Sequence, residues 1–108
     1  MPRKPMEVLT ESMFYVLMAL YSEEMGGIDV AEYIDKRTGG RLRIGPATLY
    51  TILAKFEKEK YIRQTVIEGR KRPYSITEKG GNAYLAEINR LRQCIADADS
   101  ADAQQKEK

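Results

Sequence analysis

The sequence predicts a mainly α protein with one small β-hairpin (α+β), and three observations carry that prediction. Apolar residues recur three and four positions apart in separate stretches. Two short β-forming runs stand together ahead of the last of these, and Gly or Pro marks most junctions. A length of 108 residues, 43% of them apolar, allows one compact core and no second.

Residues 1–8 place Pro2 and Pro5 around Arg3 and Lys4 without an apolar period, which predicts a flexible N-terminal arm. Residues 9–77 form the body. Thr10 is placed to cap a first helix whose Met13, Val16, Leu17, Leu20 and Tyr21 share one face. Glu11 suits its first turn, and the helix stops before Gly26-Gly27. Asp29 stands where the N-cap of a short second helix belongs. Val30, Tyr33 and Ile34 line its apolar face, and Thr38 with Gly39-Gly40 ends it. Arg41 to Ile44 alternates polar and apolar residues and reads as a small strand or an extended connector.

Pro46 suits the first position of a third helix, because its fixed φ is helical and its missing N–H would have had no partner there. This helix runs to about Lys60. Leu49, Ile52, Leu53 and Phe56 fall within about 100° of its circumference, the width of a buried stripe. Ala47, Thr51, Ala54 and Lys58 lie opposite, flanked by Thr48, Tyr50 and Lys55.

Tyr61 to Ile67 then reads as a strand and Pro73 to Thr77 as its partner, with Glu68 to Arg72 as the loop and Gly69 supplying turn freedom. Pro73 lacks an N–H and suits a sheet edge. Thr77 and Glu78 open a last helix over 78–98, whose first turn Gly80 and Gly81 weaken.

In that helix Tyr84, Ile88, Leu91, Ile95 and Ala98 follow a 4-3-4-3 spacing, the repeat of a helix that packs on another helix. A stripe of that length on so small a domain predicts a homodimer with Tyr84, Ile88, Leu91 and Ile95 at the seam. The alternative is a last helix folded back on the first. Residues 99–108 are polar and aperiodic and read as a disordered tail.

Composition removes most chemistry. With Cys94 as the one cysteine and no histidine, no zinc cluster and no Cys-His or Ser-His pair can be assembled. The 16 acidic residues are scattered over helical patterns. Neither enzyme activity, metal nor cofactor is expected. Cys94 reads as an inert helical thiol rather than a redox sensor. The longest apolar stretch, near Phe14 to Tyr21, is about half of the roughly 20 residues a membrane span needs, so no membrane partner is expected. Glu7 and Glu11 argue against a signal peptide, and a cytoplasmic location follows.

The net charge of +2 conceals an asymmetry. Between Arg41 and Arg72 nine basic residues face three acidic ones, a block of +6 that leaves −4 for the rest. Such a block suits phosphates. A Pro-started amphipathic helix followed by a hairpin carrying Arg70, Lys71 and Arg72 is the plan of a winged helix-turn-helix domain. Double-stranded DNA is the expected partner, met by Pro46, Ala47, Thr48, Tyr50, Thr51 and Lys55 on the helix and by the three basic residues of the wing. A protein-interaction module and a non-specific nucleoid-associated protein are the rival readings.

The order of elements, the opening Gly45-Pro46-Ala47-Thr48-Leu49-Tyr50, the continuation from Leu53 to Tyr61-Ile62, and the wing exit Tyr74-Ser75-Ile76-Thr77-Glu78-Lys79-Gly80 resemble the PadR family of transcriptional regulators, in its short-tailed branch. The resemblance spans roughly Leu9 to Ile95. It implies a homodimer built through the C-terminal helix, a recognition helix in the major groove, a wing near the minor groove, and repression by promoter occlusion. Many family members carry His-Gly-Tyr where this chain has Gly26-Gly27-Ile28, and Pro73 replaces an aromatic or basic wing residue. An effector pocket, for a small apolar or aromatic molecule, is expected between the first and last helices near Met13, Phe14, Leu17, Ile88 and Leu91.

Overall fold

The computed structural model describes residues 9–106, in the order α1 (Glu11–Ser22), α2 (Gly27–Arg37), α3 (Pro46–Lys58), β1 (Ile62–Ile67), β2 (Arg70–Ile76) and α4 (Glu78–Lys106). The arm expected over residues 1–8 lies outside the described residues. Among those described, no helix is long and apolar enough to cross a membrane.

The expected caps account for most helix boundaries. The Thr10 hydroxyl accepts the Met13 N–H at 3.2 Å and starts α1. At the end of α2 the Gly40 N–H reaches the Asp35 carbonyl (2.8 Å) and the Gly39 N–H that of Lys36 (3.2 Å), with Gly39 at φ 60° and Gly40 at φ 81°. That is a Schellman motif. The same motif ends α3 without a glycine. Lys60 takes φ 63°, the Tyr61 N–H reaches the Phe56 carbonyl at 2.9 Å, and the two rings pack 5.8 Å apart.

Several expectations need correction. Asp29 is not the cap of α2. Gly26 occupies that position and Asp29 lies in the first turn, where its charge favours the helix dipole. Of the two readings open for Arg41 to Ile44, a small strand or a connector, the connector is the one found; Thr38 fixes its start by donating to the Ile34 carbonyl (2.8 Å) and accepting the Leu42 N–H (3.0 Å).

The wing loop is not five residues long. Only Glu68 and Gly69 turn, at φ 52° and 75°, so Arg70, Lys71 and Arg72 belong to β2. Two successive positive φ values match the two-residue turn whose twist suits a hairpin. Residues 99–106 continue α4 instead of forming a tail. Ala101, Ala103, Gln104 and Gln105 are strong helix formers, and extending an existing helix avoids the cost of nucleation.

The core joins the inner faces of the first three helices to the base of the hairpin. Val16, Leu17, Val30, Ile34, Leu53 and Phe56 are fully enclosed, and Tyr61, Ile62 and Tyr74 close the wing side. Met25, in the α1–α2 connector, pairs with Tyr74 through both backbone hydrogen bonds (3.2 and 3.0 Å), which ties the wing to the start of α2. At 29 residues, α4 is about 43 Å long, so its second half extends past this body.

Candidate nucleic-acid interface

The expected buried stripe of α3 is the observed one: Leu49, Ile52, Leu53 and Phe56 are inside. Their burial turns the opposite side outward, so Pro46, Ala47, Thr48, Tyr50, Thr51 and Lys55 are all exposed. The helix opens at Gly45 without a side-chain cap. The Thr51 hydroxyl donates to the Ala47 carbonyl at 2.8 Å, which commits its proton and leaves its lone pairs for an incoming donor. The Tyr50 ring lies over Gly27, with half its surface still open.

Beside α3 stands the wing. Its register runs Ile62↔Ile76, Arg63↔Ser75 and Gln64↔Tyr74, then resumes at Val66↔Lys71 and Ile67↔Arg70. Thr65 therefore faces two residues, Arg72 and Pro73, which is a β-bulge. Pro73 has no N–H for the ladder, and a bulge removes the need for one. Neighbouring strand residues leave opposite faces, so Lys71 diverges from Arg70 and Arg72 instead of forming one basic tip with them. Arg63, counted in the sequence only as part of the charge block, is exposed on β1 and adds a cation near the wing base.

The charge block divides in two. Arg41 pairs with Glu11 at 3.0 Å and donates to the Tyr15 hydroxyl at 3.2 Å; Glu11 and Tyr15 hold its guanidinium above its usual pKa. Arg43 faces Asp35 at 3.5 Å. These two arginines tie the connector to α1 and α2. Among the described residues, no ion pair engages Lys55, Arg70, Lys71 or Arg72.

The residues read as a dimer seam also divide. Tyr84 is buried within the chain, its ring stacked 5.4 Å from that of Phe14 and tilted against that of Tyr21 at 4.9 Å, and burial raises its hydroxyl pKa. It belongs to the α1–α4 contact. Ile88 is half-buried, whereas Leu91 is 37% and Ile95 63% exposed, so the uncovered stripe begins one heptad later than the spacing suggests.

Of the residues expected around an effector, Met13 and Leu17 are core side chains and line no cavity among those described. Phe14 does line one. With Ile88, Leu91, Arg92 and Ile95 it walls an apolar groove of about 270 Å³ between α1 and α4. A larger depression of about 530 Å³, bordered by Tyr15, Tyr21, Tyr33, Arg37 and Tyr84, was not legible in the sequence, because three helices contribute to it. No group of acidic or sulfur ligands among the described residues could hold a metal ion, and Cys94 is a free, exposed thiol on α4.

Comparison with known proteins gives this geometry a setting. The profile of the transcriptional regulator PadR-like family matches residues 16–87. A transcriptional regulator from Clostridium thermocellum has a similar fold, with TM-score 0.73 and 23% identity over 82% of this chain and 89% of that one. A PadR family transcription regulator from Clostridium difficile R20291 superimposes with TM-score 0.71 at 16% identity, over 84% of this chain and 97% of that one. RosR from H. salinarum does so with TM-score 0.65 at 17% identity, over 88% and 97% respectively. No curated protein sequence matches significantly.

Proposed function

This chain belongs to the PadR-like family of transcriptional regulators, and from that premise we propose that it is a cytoplasmic homodimeric repressor with a defined operator. It is a DNA-binding protein and not an enzyme. Each subunit lays the exposed face of α3 in the major groove, where Thr48, Tyr50 and Thr51 meet base edges and Lys55 a phosphate. The wing sets Arg70, Lys71 and Arg72 against the flanking backbone and minor groove. One observation carries the reading: among the described residues no ion pair engages Lys55, Arg70, Lys71 or Arg72, while Arg41 and Arg43 each have a carboxylate partner.

The dimer joins α4 to α4 through Ile88, Leu91 and Ile95, and two half-sites about one DNA turn apart follow from two-fold symmetry. The groove beside Phe14 borders the same stripe. A small apolar or aromatic effector there would change the angle between subunits and lower operator affinity by linkage.

The test is selection of bound fragments from a random or genomic DNA library at about 0.15 M salt, followed by anisotropy titration of the enriched sequence. A recurring inverted repeat, bound about a thousandfold tighter than random duplex, is expected. Weak sequence-blind binding would make the protein a nucleoid-associated one, and no binding would make it a protein-interaction module.

A further inference from the structure

Gly27 has no backbone reason to be glycine. It is the first residue of α2, outside the positive-φ region that favours glycine, and a side chain there would ordinarily do no harm. Space is the reason. A Cβ built on Gly27 would stand 2.8 Å from the Tyr50 hydroxyl oxygen, 3.0 Å from Cζ and 3.1 Å from Cε1. Tyr50 thus rests the outer edge of its ring on the bare Cα. Gly27 is buried, although its neighbour Ile28 is 79% exposed.

The contact stands where three elements meet. Met25, two residues before Gly27, is bridged to Tyr74 of the wing, and Tyr50 lies close enough to Tyr74 to contribute, after burial and Glu57, to its raised pKa. An exposed tyrosine on a helix ordinarily samples several rotamers. One seated on a neighbouring helix loses less freedom when it meets a ligand.

We propose that Gly27 is a positioning residue for DNA recognition, its missing side chain holding the Tyr50 ring at the junction of the recognition helix and the wing. The proposal rests on the reading of Tyr50 as a DNA-contacting residue. Because the colliding atoms belong to the far end of a half-exposed side chain, Gly27→Ala displaces Tyr50 and leaves the fold intact.

The test is a double-mutant cycle of Gly27→Ala and Tyr50→Ala in the full chain. It is read by anisotropy on the duplex the parent protein selects from a random library and on an unrelated duplex, with thermal melting alongside. Gly27→Ala is expected to weaken binding to the selected duplex about tenfold, the order of one lost base contact. Binding to the unrelated duplex and the melting midpoint should stay unchanged.

In the Tyr50→Ala background, Gly27→Ala should cost nothing further, because the ring it displaces is gone. Losses that multiply, or a Gly27→Ala protein that binds like the parent while Tyr50→Ala does not, would overturn the positioning role alone. A Tyr50→Ala protein that binds the selected duplex like the parent would overturn the recognition role of Tyr50, and the proposal with it. Should Gly27→Ala fail to fold, folding of the double variant would still attribute the clash to Tyr50, and failure of both would overturn the proposal.

Discussion

The carbonyl oxygen of Tyr61 occupies the space that a side chain at Gly80 would need. The same carbonyl accepts the Thr77 N–H at 2.9 Å, and the Thr77 hydroxyl, 2.7 Å from the Lys60 carbonyl, caps α4 by accepting the Gly80 N–H at 3.1 Å. The first turn of α4 is thus pressed against the junction between α3 and β1. The two glycines that weaken this turn in isolation have different reasons for being there. Gly80 is required by the close approach, whereas a Cβ on Gly81 would meet Tyr21 at an ordinary 3.7 Å.

Adjacent substitutions should therefore have opposite signs. Gly80→Ala should destabilise the protein by about 1–3 kcal/mol, because backbone cannot yield as a side chain can. Gly81→Ala should stabilise it by about 0.5–1 kcal/mol through helix propensity. Chemical denaturation of the two variants beside the parent checks both.

The divided charge block predicts a contrast in salt dependence. Arg70→Glu and Lys71→Glu should each weaken binding to every duplex and flatten the plot of log affinity against log salt by about one unit per lost phosphate contact. Arg41→Gln should leave that slope unchanged, since its guanidinium is engaged by Glu11 and Tyr15. Anisotropy titrations between about 50 and 200 mM salt would distinguish them.

The division of the α4 stripe predicts that two apolar positions fail differently. Leu91→Asp should yield a folded monomer in light scattering, because the residue lies on the uncovered part of the stripe. Tyr84→Ala should instead lower stability by about 3–5 kcal/mol through loss of its packing on Phe14 and Tyr21. A Leu91→Asp protein that remained dimeric would place the interface elsewhere.

Acid should loosen the contact between α4 and the start of α1. Glu87 is nearly enclosed, and hydrogen bonds from the Arg90 guanidinium at 2.6 and 2.9 Å, aided by the Leu9 backbone, hold its carboxyl below the usual range. A carboxyl whose folded pKa is depressed contributes stability above its unfolded pKa and loses it as pH falls through the folded one. Glu87→Gln should therefore lower the melting midpoint at neutral pH. It should match the parent at a pH below both values, so the gap between the two melting curves closes on acidification from about pH 5 downward.

Local patterns accounted for much of this protein. The stripe of α3, the Thr10 cap, the glycine stop of α2 and the two hairpin strands are each written in residues close together in the chain, and propensity and periodicity act over that range. So did the family signature, whose motifs are contiguous. The tertiary structure decided the rest. A charge count cannot separate Arg41, held by a carboxylate 30 positions away, from Arg70. A heptad cannot reveal that Tyr84 turns to Phe14 and Tyr21 of its own chain while Leu91 stays more than a third exposed and Ile95 more than half. In the sequence Gly27 reads as part of a helix stop and Gly80 as a weak point in the first turn of the last helix. Each is set by an atom distant in sequence, the Tyr50 hydroxyl and the Tyr61 carbonyl, and a steric exclusion between distant residues leaves no periodicity or composition from which it could be read.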